Sequence, residues 1–261
     1  MCAAALSLQT LQLLHLSVNY YLLVFIFFAT LCGYNAYWVV SKFSFGQLVS
    51  LTTFIQRQSS SFAIMLVSVA GMLYCMLHLH LVMYNIIITF FLLALYAVPL
   101  LPIKKLQFTR KAGFLKTILL AFTWAHVTVL IPLQKSIVSM QYAELLIFAN
   151  RFLFMLMLCI IFDKRDAAVD KIRGMHSLAT DIDPVMLHVV FGFIFAGYTF
   201  ISYMMKACSF RLSAIYALLV IGIISLLLYG LSLKKRGYFF YYFLVDGLMF
   251  LSALLTSVAS I

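Results

Sequence analysis

Apolar residues in this chain fall in long unbroken runs separated by short polar breaks, and neither the alternation of an amphipathic strand nor the one-sided stripe of a surface helix dominates. Windows of about twenty apolar residues match the length a helix needs to cross the hydrocarbon layer of a bilayer. They predict spans near 3–17, 20–41, 61–79, 82–101, 115–133, 142–162, 185–206, 211–230 and 239–260. The breaks carry helix-ending chemistry. Gln56 to Ser61 is a polar run, Pro99 and Pro102 close a helix, Asp183 and Pro184 open one, and Lys234 to Gly237 separate the last two. These runs are too long for barrel strands of about ten residues, and no soluble domain fits between them. The expected fold is therefore all-α, a single membrane domain over 1–261 with about nine transmembrane helices. Residues 1–18 lack the basic start of a secretory signal, so they read as a short first helix of that domain.

Composition agrees with lipid as the solvent. The 261 residues are 66% hydrophobic and only 10% charged, and the mean hydropathy is +1.11, whereas soluble domains are about half apolar and a quarter charged. A net charge of +11 would suggest nucleic acid in a soluble protein, but here the basic residues follow a topology and no nucleic-acid partner is expected. Lys42, Arg57, Lys104, Lys105, Arg110, Lys111, Lys116, Lys164, Arg165, Lys171, Arg173, Lys234, Lys235 and Arg236 fall on one side; Lys135, Lys206 and Arg211 fall on the other. The long basic loops are expected to be cytoplasmic and the C-terminus outside, as in a bacterial inner-membrane protein. The cysteines, five in number, show no metal-site spacing and read as small core residues.

Five of the seven acidic residues, Asp163, Asp166, Asp170, Asp181 and Asp183, lie within one predicted loop. If the sixth helix continues past the membrane edge, Asp163, Asp166 and Asp170 share a face at spacings of three and four, where their mutual repulsion calls for a cation. Oxygen ligands of this kind suit magnesium holding a diphosphate, with Lys171 and Arg173 on the phosphates and Gly174 allowing a turn. A helix end leaving lipid also carries mixed charges simply for solvation, with Lys164, Arg165, Lys171 and Arg173 neutralising the aspartates.

The segment from Phe162 to Asp183, FDKRDAAVDKIRGMHSLATDID, resembles the second aspartate-rich motif of the UbiA superfamily of intramembrane prenyltransferases. Asp166 and Asp170 occupy its DxxxD positions, Asp163 precedes them, and Arg173, Gly174, Ser177 and Leu178 follow in order. LYAVPLLPIKK, residues 95–105, is similar to the family's Tyr-x-x-Pro-x-x-Lys segment, and nine helices is the family arrangement. The resemblance implies a Mg2+-dependent transfer of the prenyl group of a polyprenyl diphosphate to a membrane-associated acceptor. Asp163, Asp166 and Asp170 would hold the metal, Asp166 and Asp170 being catalytic, and Lys104, Lys105, Lys171 and Arg173 would hold phosphate. The allylic carbocation would be sheltered from water in a lipid-facing cavity.

The first motif of that family, NxxxDxxxD, is degenerate here: Asn35 is present, but Val39 and Phe43 stand at the aspartate positions. Side chains of that kind cannot ligate magnesium, which favours a noncatalytic lipid-binding or assembly protein as the alternative; a transporter is a third reading, without the internal repeat it would call for. Tyr34, Asn35 and Trp38 flank the displaced motif and are expected to line the substrate cavity, and Tyr37, Tyr96 and Trp124 are further aromatic candidates. Lys42 reads either as a phosphate contact or as a topological anchor. Arg151 and Asp246 fall inside predicted spans at depths differing by roughly 5 Å, so they are expected to pair or share one polar cavity and to contact substrate. His78 and His80, two apart, have the wrong spacing for a metal pair on one helix face.

Overall fold

The computed structural model describes residues 1–45, 58–79, 83–97, 113–172 and 176–260. Among them there are helices and no strands, as expected of a chain whose backbone polar groups must be satisfied within lipid. In chain order these are α1 (Cys2–Leu13), α2 (Tyr20–Phe45), α3 (Ser59–Met76), α4 (Met83–Ala97), α5 (Gly113–Ala125), α6 (Tyr142–Ile172), the short α7 (Leu178–Asp181), α8 (Pro184–Met204), α9 (Leu212–Leu231) and α10 (Asp246–Ser260). Seven segments are long and apolar enough to cross a membrane; α1 and α4 are apolar but shorter. Each of the nine predicted apolar runs is thus a helix among the described residues, and the chain is an integral membrane protein.

Helix ends follow local chemistry. Asn19 Oδ1 accepts from the Tyr21 amide at 3.0 Å and starts α2. Asp183 Oδ2 accepts from the Val185 amide at 3.0 Å, with Pro184 at the first position of α8, where its missing N–H costs nothing. The first run was expected to reach residue 17, but α1 stops at Leu13 because His15 adopts the left-handed conformation (φ 52°) that terminates a helix. After α5, a π-helical turn over His126–Leu130 leads into Ile131–Leu133. Pro132 has no N–H to offer the Thr128 carbonyl four residues back, and the Thr10 hydroxyl donates to that carbonyl at 2.8 Å. The Asn85 amide nitrogen likewise donates to the Lys135 carbonyl at 3.1 Å, so polar side chains cover backbone acceptors that lipid cannot.

The contacts fix helix directions. Cys2 lies against Asp246, Gln9 against Ser252 and Gln12 against Ser257, a nearly constant offset that makes α1 and α10 parallel. Such a pairing of the first and last helices requires an even number of chain reversals between them, consistent with nine segments. On α8 and α9, Phe191 stacks on Tyr229 with ring centroids 3.8 Å apart, and Tyr198 covers Gly222, so residue numbers rise on one helix as they fall on the other. A Cβ on Gly222 would lie 2.7 Å from Tyr198 Cε1, so the glycine is what lets these helices approach. At Gly71 the same applies on α3, where a Cβ would lie 2.5 Å from the Phe28 ring of α2.

The core is organised on α6, which is buried along Phe154–Ile161 and packs against α5, α7 and α8. At 1.5 Å per residue its 31 residues extend about 46 Å, against about 30 Å of hydrocarbon. The helix is thus about ten residues longer than a hydrocarbon layer needs, and Asp163, Asp166 and Asp170 lie in its last third.

Candidate functional site at the acidic end of the bundle

A helix turns about 100° per residue, so Asp163 and Asp170, seven apart, lie within about 20° of each other on α6, while Asp166 is about 60° away. Their environments differ accordingly. Asp163 accepts a 2.5 Å hydrogen bond from Thr117 of α5. It also lies in electrostatic reach of Lys116 and Asp170. Asp170 is buried. Asp166 is turned toward Arg165, whose Nε and Nη2 donate to its two oxygens at 2.7 and 2.8 Å, a side-on bidentate pair.

Arg165 in turn is packed in rings. Its guanidinium carbon lies 5.0 Å from the centroid of Phe162, 5.5 Å from Tyr241 and 5.0 Å from Tyr242, the last two on the π-helical turn Phe240–Val245 that precedes α10. Asp246, the next residue, is close enough to feel the Arg165 charge. From α2, Tyr34 reaches the same neighbourhood, within range of Tyr242, Asp246 and Arg165, yet 59% of it is exposed. A second aromatic wall stands beside Asp163: Tyr96 of α4 lies 5.1 Å from Tyr37 of α2 and within range of Cys159 and Asp163. Lys164 sits over the ring of Tyr229 at 5.0 Å. One end of the bundle thus gathers carboxylates, cations and phenols from α2, α4, α5, α6 and the start of α10.

Several expectations are corrected. Asp163, Asp166 and Asp170 do not converge: among the described residues no group of three His, Cys, Asp or Glu side chains could hold a metal. Asp163 and Asp170 are separated by about 10 Å of helix rise, too far for both to reach a single magnesium at about 2.1 Å, and Asp166 is held by Arg165. The residues described do not fit a magnesium held by these three carboxylates. Arg151 does not pair with Asp246: it is 4% exposed and donates to the Leu6 carbonyl at 3.2 Å and to Thr10 Oγ1 at 3.5 Å, so it ties α6 to α1. Asp246 lies beside Cys2, one to two turns of α1 away, because helix packing and not residue counting sets depth.

Other parts of the acidic cluster are structural. Asp181 accepts from His176 at 2.6 Å, and Asp183 caps α8. Asn35 donates to the Leu31 carbonyl of its own helix at 2.9 Å. Trp38, still 46% exposed, carries Lys42 over its ring at 5.3 Å, and Lys42 also donates to Gln58 at 2.9 Å. His78 stacks on Tyr21. Lys171 is exposed; Lys104, Lys105, Arg173, Gly174 and His80 lie outside the described residues. Thr117, Tyr241 and Tyr242 are absent from the sequence-derived set. No local signal marks Thr117, and Tyr241 and Tyr242 are distinguishable only as aromatics near the one acidic residue of the last helix.

No protein-family model matches the sequence, and no curated protein matches it. The structure is similar to the apo structure of a UbiA homolog from Aeropyrum pernix K1, with a TM-score of 0.59 and 12% identity over 99% of this chain and 96% of that one. A likeness spanning both chains at so low an identity is one of fold, and with the helix order described above it leads to one conclusion. The chain has the fold of that UbiA homolog.

Proposed function

We propose that this protein binds a polyprenyl diphosphate at the acidic end of its bundle and transfers the prenyl group to a membrane-associated acceptor. The observation that carries the reading is the gathering of Asp163, Asp170, Arg165 and the phenols of Tyr34, Tyr96 and Tyr242 at one end of a UbiA-type bundle. The diphosphate headgroup would sit at this end, on the cytoplasmic side by the distribution of Lys and Arg, and the apolar tail would lie along the helices. In the transfer, the bond between the allylic carbon and the diphosphate oxygen breaks and the diphosphate leaves with the electron pair. An acceptor nucleophile supplies the pair for the new bond and gives its proton to the released diphosphate. Phenol faces such as Tyr34 would stabilise the intervening cation, and the lipid-facing walls would exclude water from it.

A second reading, a noncatalytic lipid-binding or assembly protein, is favoured by Val39 at a position where the family carries an aspartate and by the engagement of Asp166 with Arg165. The experiment that separates them is binding and turnover of a labelled polyprenyl diphosphate by the purified protein, with and without magnesium, beside Asp166→Ala and Asp170→Ala. Diphosphate release lost in both variants establishes an enzyme that depends on the remaining motif; binding without release selects the second reading. Absence of both rejects diphosphate recognition altogether.

A further inference from the structure

Between α9 and the π-helical turn Phe240–Val245 the chain carries three consecutive cations, Lys234, Lys235 and Arg236, and all three are exposed. The turn that presents them is held in place. The Ser232 amide donates to the Leu228 carbonyl at 2.9 Å, the Leu233 amide to the Gly230 carbonyl at 3.3 Å, and Arg236 Nε to the Leu231 carbonyl at 3.0 Å. No carboxylate answers this charge: the chain has seven acidic residues, and among the described residues none forms an ion pair with Lys234, Lys235 or Arg236. Like charges at successive positions repel, so the run is stabilised by a counter-charge from outside the chain. The cations stand beside exposed rings. Hydrogen bonding to the fifth residue widens a π-helical turn and brings side chains four apart nearly into line. Tyr238 stacks on Tyr242 at 5.3 Å with planes 10° apart, and Phe239 on Phe243 at 4.8 Å with planes 17° apart. Phe240 and Tyr241 are buried and tie the turn to the core, whereas Tyr238 is 81% exposed and Phe239 and Phe243 are exposed beside it.

We propose that this segment is a docking surface for an anionic phospholipid: Lys234 and Lys235 meet the headgroup phosphate, and the stacked rings lie against the glycerol and the first carbons of the acyl chains. The inference is independent of the polyprenyl diphosphate reading, since only Tyr242 is shared with the acidic end of the bundle. Charge complementarity selects the partner. The long basic loops fall on one side of the membrane, and a basic segment next to a membrane helix is drawn to the anionic lipid of the cytoplasmic leaflet. Phenols such as Tyr238 are at home at headgroup level, one end apolar and the other wet. A soluble acidic partner would neutralise the cations but gives no account of the exposed phenylalanine stack.

The test is binding of phosphatidylglycerol, which is anionic, and of phosphatidylcholine, which is neutral overall, to the purified protein in detergent, with bound lipid counted by native mass spectrometry across a titration. Wild-type protein should prefer phosphatidylglycerol, and the preference should shrink as salt screens the charges. Lys234→Gln and Lys235→Gln should each weaken phosphatidylglycerol on the order of 5-fold and together on the order of 25-fold, with phosphatidylcholine unchanged. Tyr238→Ala combined with Phe239→Ala should weaken both lipids alike, because ring contacts do not sense the headgroup charge. Lys206→Gln, at the opposite end of the bundle, should change neither. Both lysines are exposed, so the lipid-free variants should unfold at the wild-type temperature, which marks them as folded. Equal affinity for the two lipids, or a preference that survives the double lysine substitution, overturns the inference and leaves the cations as a topological anchor. Displacement of phosphatidylglycerol by an equal concentration of inorganic phosphate overturns it as well, because the surface would then hold an anion without a lipid.

Discussion

Gly222 offers a quantitative test of the packing that carries this site. Its α-carbon faces Tyr198, and the added methyl of Gly222→Ala would lie 2.7 Å from Cε1 and 3.0 Å from Cδ1 of a ring that is 1% exposed. That ring has little freedom: its hydroxyl donates to the Leu218 carbonyl at 2.9 Å and its face packs toward Phe154 at 6.2 Å. Overpacking of this kind costs about 1–3 kcal/mol, and displacing the ring would lose a hydrogen bond of about 1 kcal/mol. Alanine returns about 1 kcal/mol over glycine in a helix. The net expectation is a loss of about 1–3 kcal/mol, or a fall of about 2–10 °C in Tm for a chain of this size. Gly192, also on α8, has nothing within 4 Å of the corresponding position, so Gly192→Ala should be neutral or raise Tm by a few degrees. Thermal unfolding of both variants in the same detergent measures the difference directly, and Gly222→Ala should cost less in a Tyr198→Ala background. Equal stability of Gly222→Ala and Gly192→Ala would refute the close approach of α8 and α9. The consequence reaches the site, because Tyr229, two turns along α9 from Gly222, lies under Lys164.

Three further outcomes follow from single contacts. Asp183→Ala should lower stability by about 1 kcal/mol by removing the N-cap of α8, readable as a Tm shift, whereas Asp183→Asn should retain most of it. Thr117→Val keeps shape but removes the donor to Asp163, so about 1.5–3 kcal/mol of a charge-assisted bond is at stake; thermal unfolding should fall and Thr117→Ser should restore it. Arg151→Glu places an acid against the Leu6 carbonyl and Thr10 inside the bundle and should cost more than about 4 kcal/mol, seen as loss of monodisperse protein. Because Arg151 and Asp246 are not partners, introducing Asp246→Arg into that variant should not recover it.

Among the described residues the hydrophobic pattern alone located each long helix, since a run of apolar residues in lipid has few other ways to satisfy its backbone, while the short α7 lies in a stretch read as loop. Asp183 and Pro184 marked the start of α8 through chemistry that acts within three residues. What the sequence could not decide was which group each ionisable side chain would meet. Asp166 is claimed by the adjacent Arg165, Asp163 by Thr117 from α5, Asp181 by His176 and Arg151 by the carbonyl of Leu6. Counting residues from a helix end put Arg151 level with Asp246, but Arg151 meets Leu6 and Thr10 of α1 whereas Asp246 lies beside Cys2. Apolar burial is a sum over many residues and survives such shifts, whereas a hydrogen bond is made or lost within a fraction of an ångström. Only the tertiary structure sets that distance.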